Sequence, residues 1–493
     1  MRVLLVASEA APFAKTGGLA DVAGSLPGAL SRLGCDVTLV IPAYREVFAK
    51  GIPIEPTGLS FEVPIGTRRR EARILRSRLP GSQATVLLVG NDECFDRPTL
   101  YGGAKDYADN AERFIFFSRA ALELAGRQDR PFDILHCHDW QTGLVPAYQK
   151  LLYRSWPMLA EARSVMTIHN MAYQGLFWHW DMLLTGLDWK YFNWQQMEFY
   201  GELNLLKTGL VFADALSTVS PTYAREIQRE PGGCGLEGVL ASRSDVLAGI
   251  VNGIDTAAWN PGTDPHIPRP YSAQDFADGK YAARVALAAR LGHAAPDPRP
   301  LVALVGRLVE QKGIDLVIEL LGRMAGGGRA RFVILGTGNA ATEESLRRAA
   351  ALFPGTIDVV IGFDEEFAHL VQAAADIMLV PSRYEPCGLT QLYALRYGTI
   401  PVVRATGGLV DTVVDTTPET LRNGTASGFV FEAFDALALE HALMRAIDAH
   451  ANRELWSGLV RQVMGQDWSW DSSAREYLKL FERTRRAPPV AVR

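Results

Sequence analysis

Cysteine is scarce in this 493-residue chain: Cys35, Cys94, Cys137, Cys234 and Cys387 are scattered, odd in number and form no CxxC pair. That pattern argues against a disulfide framework and for reduced thiols in a cytoplasmic protein. Long apolar runs are missing too, and no stretch approaches the ~18 residues of a membrane span. Residues 1–8 carry one charge and a short apolar run before Glu9, the pattern of a first strand and not of a signal peptide. Charge of one sign is not in excess. The net charge of −5 gives no reason to expect nucleic acid or a membrane surface as partner. What is abundant is hydrophobic residues, 48% of the chain, enough for two large cores. A prior of ~150 residues per domain gives two or three domains at this length.

The stretch 382–398, SRYEPCGLTQLYALRYG, sets a carboxylate directly before a helix start. An apolar run at 376–381 precedes it and reads as a buried parallel strand, and 389–397 has the spacing of an amphipathic helix capped by Gly398. Gly388, Leu389 and Thr390 then offer unpaired amides to an anion, while Glu385 accepts hydroxyl hydrogen bonds. A phosphorylated sugar or nucleotide needs both. The alternative is a surface glutamate beside an ordinary capped helix, and this stretch alone leaves both open.

From the N-terminus, a strand at 2–8 runs into the loop Lys15-Thr-Gly-Gly-Leu-Ala-Asp21, then a helix to about Leu33 and a strand at 36–42. Such a Gly-rich βα turn lies where open α/β sheets bind ligands. Its lysine precedes the glycines, so it is not a Walker A loop. Residues 51–91 alternate apolar and polar and read as sheet additions, with Arg68, Arg69 and Arg70 in a solvated turn. A helix at 108–124 leads to the strand ending His136-Cys-His138-Asp139-Trp140. The two-residue period of a strand is expected to divide these side chains between faces and so to assemble no metal site. Asp139 and Trp140 are instead candidates for gripping a sugar, and a strand at 164–168 delivers His169 and Asn170 to the same edge. Eight aromatics crowd the segment from Phe177 to Phe199; most are expected to pack, a few to touch a polymer.

A second α/β pattern follows a boundary near Leu247, giving domains 1–246 and 247–465 and a final segment 466–493. Gly336-Thr-Gly338-Asn-Ala-Ala341 matches GxGxxA and invites a dinucleotide-dependent oxidoreductase, although Asp358 precedes a strand instead of ending one. Thr406-Gly-Gly-Leu-Val-Asp411 echoes the loop at Thr16, which indicates similar turn chemistry. The last helix, about 472–485, carries Tyr477, Leu478 and Phe481 on one side and ends in a fraying tail.

Taken together, KTGGLADV, HDW at Asp139, THN at Asn170, VNGID at Asp255, GRLxxQKG at Gly313 and EPCGLTQLYALRYG resemble bacterial glycogen synthase and plant starch synthase. The match spans nearly the whole chain in order. It implies an α/β GT-B fold, two Rossmann-like doubly wound domains facing a deep cleft, with the last helix crossing back to the first domain. It further implies retaining transfer of glucose from ADP-glucose to the non-reducing end of an α-1,4-glucan such as glycogen, without a cofactor. Carried onto this chain, the resemblance puts Arg307 and Lys312 on the donor diphosphate, helped by Lys15, Gly18 and the amides of Gly388 to Thr390. A cation ~4 Å from an anion at an effective dielectric near 20 is worth about 4 kcal/mol, against roughly 0.3–1 kcal/mol for a helix terminus. The basic side chains therefore dominate, and with no DxD-type pair present they are inferred to do a metal ion's work. Glu385 binds glucose hydroxyls and His169 sits over the sugar. Asp21, Asp139, Asn170, Asn252 and Cys387 are further sugar or nucleotide contacts, with Tyr101 near acceptor or donor. Tyr393 replaces the second glutamate of the wider GT-B pattern, itself a glycogen-synthase-like trait. The base of the nucleotide is not fixed, and a catalytically silent glucan-binding protein is the remaining alternative.

Overall fold

The computed structural model describes residues 1–103, 105–362 and 364–490. The chain divides into two compact units, Met1–Gly253 with Trp470–Arg493, and Ile254–Ser469. The first unit is built on a nine-stranded sheet. In spatial order its strands are Leu247–Gly249, Ala215–Thr218, Arg163–Ile168, Ile134–His138, Arg2–Val6, Asp36–Pro42, Thr85–Gly90, Arg68–Arg78 and Glu55–Ile65. The pairings from Leu247–Gly249 to Thr85–Gly90 are parallel, and the last two strands add an antiparallel edge. Parallel strands are covered on both faces, which is why they read as unbroken apolar runs. Val3 lies between Val37 and Ile134, all three buried.

The second unit holds a six-stranded, all-parallel sheet. Its order is Ile357–Ile361, Arg331–Gly336, Leu301–Val305, Ile377–Val380, Ile400–Arg404, Phe429–Phe431. In each sheet the strand order reverses beside the first strand of the unit, between Arg2–Val6 and Ile134–His138 and between Leu301–Val305 and Ile377–Val380. Loops leaving the carboxyl ends of strands at such a reversal diverge and leave a crevice for a ligand.

Several expectations shift. The strand Leu247–Gly249 pairs with Ala215–Thr218, so these residues belong to the first sheet and the division falls after Gly253, not at 247. Arg68, Arg69 and Arg70 are not a turn: they open a strand, and the Arg70 guanidinium is committed to Glu112 and Glu93. Of the crowded aromatics, none is fully buried; Phe177, Tyr191, Phe192 and Phe199 are half-buried, while Trp178, Trp180, Trp189 and Trp194 stay exposed.

The final helix, Trp470–Arg486, belongs to the first unit and buries Ser473, Ala474, Tyr477, Leu480, Phe481 and Thr484, an i, i+3, i+4, i+7 stripe. Leu480 takes the place expected of Leu478, which is half-buried. The tail is tied as far as Val490, whose amide donates to Asp214; residues 491–493 lie outside the described ones. Phe481 is fully enclosed and packs 5.2 Å from the His136 ring. Phe481→Ala should cost the first unit about 3–5 kcal/mol, read as a shift of its unfolding transition to lower urea concentration.

Candidate functional site

Both reversal points carry the residues that the motifs single out. In the second unit, the strand Leu301–Val305 runs into Gly306, Arg307 and the turn Glu310–Lys312, while Ile377–Val380 runs into Pro381, Ser382 and Glu385. Glu385 is only 5% exposed. Its Oε2 accepts from Lys312 Nζ at 2.5 Å and from Ser382 Oγ at 2.8 Å, so the buried carboxylate is matched by one cation and one hydroxyl. Arg307, exposed, reaches Gln311 Oε1 at 3.3 Å.

Glycine makes this approach possible. Gly313 has φ 68°, and a Cβ there would stand 2.1 Å from the Pro381 carbonyl oxygen. The turn that carries Lys312 is thereby pressed onto the end of the neighbouring strand. The Arg383 amide donates to the Gln311 carbonyl at 2.8 Å, and Arg404 caps the carbonyls of Ser382 and Arg383. Gly408 donates its amide to the Glu385 carbonyl at 3.0 Å, which brings the Thr406 loop directly onto the glutamate segment. Cys387 is buried, and its carbonyl, with that of Gly388, accepts from Gln391. Leu389 is the N-cap of a helix, Thr390–Arg396, of only seven residues and without a side-chain cap. Its amides are a minor contributor beside Lys312 and Arg307.

In the first unit, Arg2–Val6 leads to Ser8 and Glu9. Ser8 Oγ and the Tyr101 hydroxyl lie 2.7 Å apart. Glu9, 4% exposed, accepts from the Thr16 amide at 2.5 Å and from its hydroxyl at 3.0 Å, fastening the Gly-rich loop. Lys15 pairs with Asp21 at 2.7 Å. A Cβ on Gly17 or Gly18 would meet no protein atom within 4 Å, so neither glycine is demanded by the protein's own packing. Burial pushes the Glu9 carboxyl up to about 7, outweighing the Thr16 donors.

At the ends of the next strands, Asp139 Oδ1 accepts the His169 amide at 2.7 Å. Asp139 has φ 55° and ψ −176°, a backbone region that is nearly reserved for glycine and costs of order 1–3 kcal/mol. Burial also raises its carboxyl to about 7. His136 and His138, two residues apart, share a face of their strand with ring centroids 4.1 Å apart, while Asp139 stands just past the strand end. His138 Nδ1 lies 2.9 Å from His169 Nε2. Burial lowers His136 and His169 to about 3 and holds His138 well below its ordinary value, so all three are neutral. No three His, Cys, Asp or Glu side chains among the described residues form a metal-ligating cluster. Trp140 is enclosed against Phe114 and Phe177 and is not free to stack on a sugar.

Asn170 uses its Oδ1 to accept from the Ala172 amide. Asn252 is buried with Oδ1 unpartnered among the described residues. Sequence reasoning passed over Glu9, Ser382 and Gly408. The first of these had a signal: an acid immediately following a strand-like apolar run, where a side chain is drawn inward.

The GxGxxA run is spent on packing. A Cβ on Gly336 would lie 1.9 Å from the Gly306 oxygen and one on Gly338 2.3 Å from the Leu308 oxygen, while the Gly338 amide is taken by Glu343.

Comparison with known proteins matches residues 2–242 to the starch synthase catalytic domain and residues 288–458 to glycosyl transferases group 1. The chain is 43% identical to a glycogen synthase of Rhodopirellula baltica over 98% of both chains. It is 47% identical to one of Anaeromyxobacter sp. (strain Fw109-5) over 98% of this chain and 99% of that one. The catalytic domain of starch synthase IV from Arabidopsis thaliana, bound to ADP and acarbose, superposes with a TM-score of 0.90 at 34% identity over 98% of this chain and 99% of that chain. Sucrose-phosphate synthase from Thermosynechococcus elongatus, 17% identical over 98% of each chain with a TM-score of 0.58, shares the fold.

The raised carboxyls make stability depend on pH. Unfolding returns Glu9 to water, where it ionises near its ordinary 4.5, so between about 4.5 and 7 the folded chain holds a proton that the unfolded chain has lost. Stability is lost as pH rises through that window. The amide of Glu9→Gln can keep the Thr16 bond without the charge. This variant should be more stable than the parent by about 1–3 kcal/mol at pH 8 and near-equal at pH 5, measured by denaturant unfolding at both.

Proposed function

Because the chain belongs to the glycogen and starch synthase family of two-domain GT-B glycosyltransferases, we propose that it moves glucose from ADP-glucose to the non-reducing end of an α-1,4-glucan such as glycogen, with retention, releasing ADP. The observation that carries this reading is the Lys312–Glu385 pair at the reversal point of the second sheet, with Arg307 beside it. A donor diphosphate competes with Glu385 for Lys312. When phosphate takes the ammonium, the carboxylate is released to accept hydroxyls of the donor glucose, so one cation serves leaving group and sugar in turn. Arg307 adds the second positive charge, and a charge at ~4 Å with an effective dielectric near 20 is worth about 4 kcal/mol. Gly388, Leu389 and Thr390, with Cys387, line the following turn on the phosphate side.

The first unit supplies the neutral half of the chemistry. His169 sits over the sugar, Asn170, Asp139 and Asn252 serve as sugar contacts, and Tyr101 stands near them. Lys15, held by Asp21, receives phosphate at the Gly-rich loop together with the open backbone at Gly18. The step itself forms a bond from the acceptor oxygen to the anomeric carbon and breaks the bond to the diphosphate, which takes the acceptor's proton. A double displacement would need a free carboxylate beneath the anomeric carbon. Asp139 is poorly suited: one oxygen is held by the His169 amide and burial favours its protonated form.

No cofactor or metal enters this reading, and neither nucleic acid nor membrane is a partner. No helix among the described residues is long and apolar enough to cross a membrane. All five cysteines are free, which supports a reducing, cytoplasmic setting. A nicotinamide enzyme is disfavoured because the GxGxxA glycines are occupied by packing. A silent glucan binder has no use for a lysine paired with a buried glutamate at the binding edge of a sheet.

The test is incorporation of labelled glucose into glycogen from ADP-glucose and UDP-glucose in parallel, with chelator present. ADP-glucose should be used in preference and without metal. Lys312→Ala and Glu385→Ala should each lower kcat by at least about 10²-fold with the fold retained by circular dichroism. Use of neither donor while glycogen still binds would overturn the reading.

A further inference from the structure

The strand end at His138 holds a group that the proposed reaction has not yet used. His138 is fully buried, and its Nδ1 faces Nε2 of His169 at 2.9 Å. Exactly one proton fits between two neutral imidazole nitrogens at that distance, and there are two ways to supply it. If His169 donates, the proton of His138 must sit on Nε2, which is buried with no protein partner among the described residues. If His138 donates from Nδ1, its Nε2 keeps only a lone pair, and the proton of His169 sits on Nδ1. An orphaned buried N–H is rarer and less tolerable than an under-satisfied acceptor, so the second arrangement is favoured.

The surroundings hold His138 in the required orientation. Its ring lies 4.1 Å from that of His136, which is itself packed against Tyr477 at 5.3 Å and Phe481 at 5.2 Å of the last helix. His136 Nε2 is 2.6 Å from Thr167 Oγ1, which is 2.6 Å from Ser217 Oγ, and its own Nδ1 is unpartnered. The same preference puts the His136 proton on Nε2, donating to Thr167. One rule thus satisfies both buried rings with no orphaned N–H.

We propose that His138 is a positioning residue that fixes His169 as the Nδ1-protonated tautomer, so that its free edge meets the sugar as a neutral hydrogen-bond donor and not as a base. His169 Nδ1 has no protein partner among the described residues and is not among the sealed buried atoms, which leaves it to a ligand. Burial keeps the ring neutral. The inference rests on the proposed glucosyl transfer for its consequence, and it deepens it: a donor at this place cannot take the acceptor's proton, which leaves that proton to the departing phosphate.

The decisive measurement is a long-range ¹H–¹⁵N correlation spectrum of the full-length, histidine-labelled protein, with the His169 signals identified by their loss in His169→Gln. The expected pattern is a protonated Nδ1 and a bare Nε2 on His169; the reverse pattern overturns the proposal. Kinetics on two variants separate donation from mere space-filling. His138→Asn places an amide nitrogen where Nδ1 stands, and it should keep kcat within about threefold, whereas His138→Leu should lose about tenfold or more in kcat with little change in KM for ADP-glucose. Equal losses in both variants would overturn the donor role. If the protein uses no nucleotide sugar, the glucosyl-transfer reading fails by itself and the spectrum alone decides the tautomer.

Discussion

A carboxylate sealed to 5% exposure must find its counter-charge inside the protein, and Glu385 finds it in Lys312. Much of the local architecture of the second unit follows from that need. Lys312 ends one strand's loop and Glu385 lies in the next strand's loop, so the two turns must touch, which Gly313 allows by adopting φ 68° against the Pro381 carbonyl. The Arg383–Gln311 backbone bond and the Arg404 guanidinium then fix both turns. The backbone thus holds the pair closely while the lysine stays partly exposed.

The first unit solves the opposite problem. Burial raises the Glu9 and Asp139 carboxyls to about 7, and their hydroxyl and amide donors, unlike a cation, do not offset it. His136, His138 and His169 beside Asp139 are held neutral by the same burial. Its one ion pair at the loop, Lys15 with Asp21, lies nearer the surface. The electrostatics therefore divide by unit: one reversal point presents cations and a carboxylate, and the other presents a set of mostly uncharged hydrogen-bonding groups. In the proposed transfer the anionic leaving group falls to the former and the hydroxyls of the sugar to the latter.

The strands were legible because a parallel strand covered on both faces has to be apolar throughout: 301–305 stands out for that reason, and the helices at 314–324 and 365–374 stand out by their periodicity. The candidate site was legible in the same terms, since Gly-rich and polar runs directly after such strands fall at the binding edge of the sheet. What escaped was pairing between distant segments. Nothing local marks Leu247–Gly249 as the outermost strand of the first sheet, or Arg70 as the partner of Glu112. The aromatic segment misled because hydrophobicity predicts burial only on average, and Trp194 remains 74% exposed.

The repeated Thr-Gly-Gly-Leu sequence shows why motif identity alone does not assign a role. In both copies the second glycine opens a helix, Gly18–Arg32 in one and Gly408–Thr412 in the other. At Gly18 a Cβ would meet no atom within 4 Å beyond its chain neighbours and its own helix, so open space lies there. At Gly408 a side chain would strike the Cys387 carbonyl at 2.3 Å, and the amide is already given to the Glu385 carbonyl. The first loop leaves its backbone open; the second braces the segment that holds the buried carboxylate. The same four residues thus do opposite things: one copy leaves its backbone open, and the other closes its backbone behind a buried carboxylate, because what surrounds a motif decides what its glycines are for.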